Sequence, residues 1–115
     1  MARITGLVFI VPVADLDRSV AFYKQAFGME EAFRNEQIAF VGGAGSDSAM
    51  GLLLDPENAG KGPQNVGLHV DHAMDHNEAV RDVEAAGGRI VERGEHGPGI
   101  PFATFADPDG NVLEI

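Results

Sequence analysis

The order of elements read from residues 7–55 is read again from residues 65–115, and this repetition limits the fold more than any other feature of the chain. The first copy opens with LVFIVPV (7–13), a β-branched run that suits a strand buried on both faces. ADLDRSVAFYKQAFG follows as a helix. Asp15 or Asp17 can cap its start. Leu16, Val20, Phe27 and either Ala21 or Tyr23/Lys24 recur at near-helical spacing, and Gly28 ends it. MEEAFRN, QIAFVGG and AMGLLLD read as short strands, with GGAGSDS as the turn before the last.

The second copy repeats this order. NVGLHVD reads as a strand. MDHNEAVRDVEAAGG reads as a helix, with Asp75 and Glu78 at capping-box spacing and Gly87–Gly88 at the stop. RIVERG, PFATFA and NVLEI are strands, and DPDG is the hairpin turn between the last two. Val13 falls on Val70 and Gly28 on Gly87 when the halves are superposed. PENAGKGPQ (56–64) has the composition of a linker. The reading is one domain of 115 residues: module one at about 1–55, the linker at 56–64, and module two at 65–115. Neither half can bury both faces of its sheet alone. The halves therefore complete each other, within the chain or by exchange between chains.

Charge narrows the partners. Eight Lys and Arg stand against eighteen Asp and Glu, a formal net charge of −10. Such a field repels nucleic acid and anionic membrane and favours cationic or neutral partners. No apolar run is long enough to cross a bilayer. The N-terminal run alternates and meets Pro12 and Asp15, so it reads as a strand rather than a signal peptide. With no cysteine, the expectation is a cytoplasmic protein without disulfides. GGAG is too short for a nucleotide loop and lacks a following helix. No nucleophile elbow and no basic patch is written in the chain.

Three stretches carry a resemblance: VADLDRSVAFYKQAFGM (13–29), VEAAGGRIVE (83–92) and GIPFATFADPDGNVLEI (99–115). Through them the chain resembles the vicinal oxygen chelate superfamily, the glyoxalase/bleomycin resistance protein/dioxygenase type. The resemblance lies in both halves and covers nearly the whole chain. It implies an α+β fold of two βαβββ modules, with curved mixed sheets around a cavity and helices outside. It also implies a homodimer, since many members are dimers. Its motifs specify the fold but not the chemistry, because one scaffold hosts many reactions.

In metal-dependent members the ligands are a His on the first strand, a His at the start of the second module's first strand, and a Glu on the last strand. Glu114 matches the Glu. The first His position falls on Val8 and the second on Asn65. A first-module acid, used by glyoxalase I, would lie in AMGLLLD, where Asp55 just beyond is the only carboxylate. A transition-metal site needs three or four N, O or S donors at about 2.0–2.2 Å. Val8 offers none, and Asn65 offers a neutral carbonyl. No metal site is therefore expected, Glu114 being the only matched ligand position. No cofactor is expected either, although a divalent metal stays open.

Strand parity places Val8, Ile10, Asn65, Gly67, His69, Val112 and Glu114 on the concave side as ligand-binding candidates. That is a mostly apolar pocket with a few polar groups, the composition of a small-molecule site. His69 lies roughly 13 Å along its strand from Asn65, too far to replace a ligand there. His96, in the loop EHGPG, belongs at the rim. Phe9, Val11 and Val13 should pack beneath the first helix with Phe22 and Phe27. His72 and His76, at the start of the second helix, should be exposed. The expected function is metal-free binding of a small molecule, resembling the bleomycin-resistance branch, with a cationic ligand favoured by the charge. The alternative is a lyase or isomerase of glyoxalase type, with Glu114 as base and His69 or His96 assisting. A third reading is a scaffold with no ligand of its own.

Overall fold

The first strand, β1 (Val8–Val13), alternates as its sequence does, but it is buried on one face only. Val11 and Val13 are fully buried, whereas Val8 and Ile10 are 56% and 44% exposed. This corrects the reading of a strand buried on both faces: nothing described in the chain covers its second face. The structure is a computed structural model that describes residues 3, 5–62, 66–71 and 74–115.

Helix α1 (Leu16–Phe27) begins at Asp15, whose side chain accepts from the Arg18 amide. It ends at Gly28, whose φ of 65° is the left-handed conformation that glycine adopts without steric cost. Tyr23, not Ala21, continues the buried stripe of Leu16, Val20 and Phe22. Strands β2 (Glu30–Arg34), β3 (Ile38–Gly42) and β4 (Ala49–Leu54) complete module one. Its sheet runs β1-β4-β3-β2, and β1 pairs with β4 in parallel along its full length.

Module two contains α2 (His76–Ala85), β5 (Arg89–Glu95), β6 (Pro101–Ala106) and β7 (Val112–Glu114) in a three-stranded antiparallel sheet. The Asp75 cap bonds the Asn77 amide rather than that of Glu78. At the other end Gly87 and Gly88 donate to the carbonyls of Glu84 and Val83, a Schellman closure. NVGLHVD departs from expectation. Among its described residues it contributes only a bridge between Gly67 and Glu114, with bonds of 2.7 Å from the Leu68 amide and 2.8 Å to the Val66 carbonyl. Asn65, at its head, lies outside the described residues.

One core unites the modules. Helix α1 packs on α2, and Phe22 and Phe27 reach Phe105 of β6 at centroid distances of 6.1 and 5.5 Å. The Asp107–Asn111 turn of module two locks onto module one. Asp107 accepts from the Tyr23 hydroxyl at 2.9 Å, the Asn111 amide group donates to the Pro12 carbonyl at 2.8 Å, and Ser19 and Arg18 donate to Asp109 at 3.1 and 2.6 Å. The linker folds over this turn. The Gly60 amide donates to Asn111 at 3.1 Å, and a Cβ at Gly60 would stand 2.5 Å from the Asp109 carbonyl oxygen. Burial pushes the Asp107 carboxyl above its ordinary range, although Asn111 and Tyr23 hydrogen bonds pull it down. Burial, then the Asp107 charge, holds the Tyr23 hydroxyl well above its ordinary value. Among the described residues no helix is long and apolar enough to cross a membrane.

Candidate functional site

The open faces of the two sheets differ in chemistry. On module one, Val8 and Ile10 share their face with Ile38 and Phe40, which crowd over Gly51: a Cβ there would lie 2.6 Å from Ile10 Cδ1. This face is hydrocarbon. On module two, Glu114 is paired with Thr104 across the β6–β7 ladder and Val112 is 36% exposed. Leu113 and Ile115 are buried on the opposite side, so Glu114 does face outward from the core.

His96 meets Glu114 there. Its Nε2 lies 3.0 Å from Glu114 Oε1. An ionised carboxylate only accepts, so in this pair Nε2 is the donor. The ring stacks on Phe102 with centroids 4.2 Å apart and planes at 17°. Phe102 in turn lies over Gly94, where a Cβ would stand 2.8 Å from the ring. A larger residue at Gly94 would lift Phe102 and with it the imidazole. The sequence reading offered His69 or His96 as the partner of Glu114; the structure brings His96 to it, and Phe102 was missed. The signal was available: in PFATFA, Phe102 and Thr104 have the same parity, opposite to buried Ala103 and Phe105.

Gly67 lies beside the pair, its open Cβ position 4.0 Å from Glu114 Oε2. His69 goes elsewhere, to the margin of a cleft between the modules. His76 is half-buried rather than exposed: its Nε2 lies 3.2 Å from the Ile115 carbonyl oxygen, under the end of β7. Asn65 and His72 lie outside the described residues.

The donor set does not fit the metal centre that the resemblance describes. Val8 has no donor atom, and Glu114 spends one oxygen on His96. Among the described residues no three His, Cys, Asp or Glu side chains gather at a spacing that would hold an ion.

A βαβββ module and an αβββ module, whose leading segment is reduced to one bridge, pack helix to helix, and each presents an open sheet. The chain belongs to the Glyoxalase/Bleomycin resistance protein/Dioxygenase superfamily, whose family profile matches residues 4–115. It is 33% identical to a Vibrio parahaemolyticus protein described as a probable lactoylglutathione lyase, over 90% of this chain and 83% of that one. It is 29% identical to a lactoylglutathione lyase of Arabidopsis thaliana, over 90% of this chain but only 40% of the plant protein. Among solved structures, a glyoxalase I variant from Zea mays superposes with a TM-score of 0.73 at 27% identity, covering 94% of this chain and 44% of that one. The bleomycin resistance determinant encoded on transposon Tn5 superposes at 0.70 over 93% and 92% of the two chains. At 23% identity that likeness shows the fold alone.

Proposed function

We propose that the protein binds a small organic molecule on its open sheet faces, without a metal ion, in a homodimer whose second copy covers those faces. The observation that carries this is the His96–Glu114 pair, an acid and an imidazole standing on an exposed face beside Phe102 and Val112, with Thr104 and Glu92 across the ladder. Apolar walls supply affinity and a few polar groups supply orientation, which is how small-molecule sites are built. Isolated sheet strands carrying Val8, Ile10, Phe33, Val91 and Val112 at 36% exposure or more, with Ile100 in the loop beside β6, are the kind of surface that a partner copy buries. The carboxylate and the net charge of −10 favour a cationic ligand.

Equilibrium titration with metal-free bleomycin, a cationic ligand, tests the reading. Binding is expected in a ratio of one ligand per open-face pair. Glu114→Gln should weaken it by about tenfold, the loss of one charge-assisted contact. Unchanged affinity in both Glu114→Gln and His96→Ala would end the proposal. A second reading has its own support in the lactoylglutathione lyase relatives and in the geometry, since a carboxylate fixing one ring nitrogen leaves the other to act as a general base. Turnover of lactoylglutathione that is lost in His96→Ala would put that reading first.

A further inference from the structure

Strand parity puts the open faces on one side of β1, and the other side holds a second opening. There the end of α1, the β3–β4 loop, the 66–71 segment and the start of α2 surround a cleft of about 780 Å³. Phe9 points into it, on the opposite side of the strand from Val8 and Ile10. The volume falls within the range of small-molecule pockets, roughly 300–1,000 Å³.

The wall composition is unusual for this chain. Three of its four methionines, Met29, Met50 and Met74, line the cleft with Phe9 and Phe27. Thioethers are flexible and polarizable, so they fit planar or irregular apolar bodies. Aromatic faces attract cations. The ionisable groups point the same way. Among the described residues of the lining these are His69, Asp71 and Asp82, with no Lys or Arg. Asp82 follows the buried Ala79 by three residues, so both sit on the α2 face that closes the cleft.

We propose that this cleft is a binding site for a hydrophobic cation: an apolar body of drug-like size bearing one positive charge that is set against Asp82. The site opens on the other side of β1 from the sheet-face site; the two adjoin at Gly67, but neither His96 nor Glu114 lines the cleft. Acidic groups on an apolar, aromatic and thioether wall select for positive charge, because an anion of the same shape meets repulsion with no compensating Lys or Arg among the described lining residues.

The test uses three probes with one apolar body: 4-phenylbutyltrimethylammonium, 4-phenylbutanol and 4-phenylbutyrate. Methyl-labelled methionine reports the site directly by NMR, since Met29, Met50 and Met74 line it. The cation should shift those three signals saturably and bind about tenfold more tightly than the anion, with the alcohol between them. Asp82→Asn should bring the cation down to the alcohol. Gly43→Trp, at an exposed rim position where an added Cβ meets nothing within 4 Å, should weaken all three probes without disturbing the fold. Glu114→Gln should change none of them. Three results would overturn the proposal: no methionine signal moving, equal affinity for cation and anion, or loss of binding in Glu114→Gln. Methionine shifts that track protein concentration with no probe present would assign the cleft to a second copy of the chain and overturn it equally.

Discussion

Module one pairs its first and last strands along six residues, whereas module two pairs the corresponding segments at a single bridge. The repeat is the same, but the residues are not. VFIVPV has four β-branched residues of six and no glycine, whereas VGLHVD places Gly67 and His69 at alternate positions. Glycine mid-strand loses more backbone freedom on folding and offers no side chain to its neighbours. The same substitution opens space. Glu114, His96 and Phe102 assemble beside Gly67, while the matching surface of module one is filled by Ile10, Ile38 and Phe40. A duplicated unit has thus divided its labour: one copy is the better sheet, and the other holds the polar groups.

The division requires that the modules be held as one body, and the largest expected effect comes from breaking that joint. Asp107→Ala removes the acceptor for the fully buried Tyr23 and Asn111 side chains. A loss of about 3 kcal/mol is expected, since each orphaned buried group costs about 1–3 kcal/mol. Denaturant unfolding should show the midpoint falling with both modules lost together. Two separate transitions would mean that each module folds alone and that the single core described above is wrong.

A smaller effect follows from the protonation of the same residue. The fold binds the Asp107 proton more tightly than the unfolded chain does, because its carboxyl is shifted upward. Its contribution is therefore fully present below the ordinary carboxylate value and is lost as pH rises through the raised one. Stability measured across the weakly acidic range should carry this downward slope, and Asp107→Asn should remove it. An unchanged slope in the variant would assign the proton to another group.

Making module two resemble module one is the next test in size. Gly67→Val has room, since the nearest atom to its Cβ position is a carboxylate oxygen at 4.0 Å. The variant should gain up to about 1 kcal/mol, the span of strand propensity. Amide exchange at Leu68 and Glu114 should slow. Faster exchange there would show that the glycine is needed for the bridge and is not merely tolerated.

The smallest effect belongs to His96→Ala. Its ring is about half exposed and Glu114 is about a third exposed, so the pair should add less than about 0.5 kcal/mol. Calorimetry should show a melting temperature within a degree or two of the parent, with ligand binding impaired. A large thermal loss instead would make the pair a structural strut.

Much of this was legible in the chain. Both helices begin at named caps, Asp15 and Asp75, and end at named glycines, because capping is local chemistry within four or five residues. The core residues Val11, Val13 and Phe22 follow from strand parity and helical spacing. The burial of Tyr23 decided between two readings of the α1 stripe that spacing alone left open. His76 was misread because its neighbour is Ile115, far away in the chain, and nothing near His76 announces that contact. The network of Tyr23, Asp107, Asn111 and Pro12 was likewise invisible, since its members lie up to 99 positions apart.

The sequence by itself therefore determined the repeat, the order of every element but the strand read at NVGLHVD, the Asp75 cap, the turn at DPDG and the side of the strand on which Glu114 stands. Each of these rests on contacts between near neighbours or on the two-residue period of a strand. Only the tertiary structure decided that His96 reaches Glu114, that His69 belongs to a different opening, and that three methionines and two phenylalanines from both modules face one cleft. Those outcomes depend on how two sheets and two helices pack in space. Packing is set by the summed burial of many side chains, and no single stretch of sequence contains that sum.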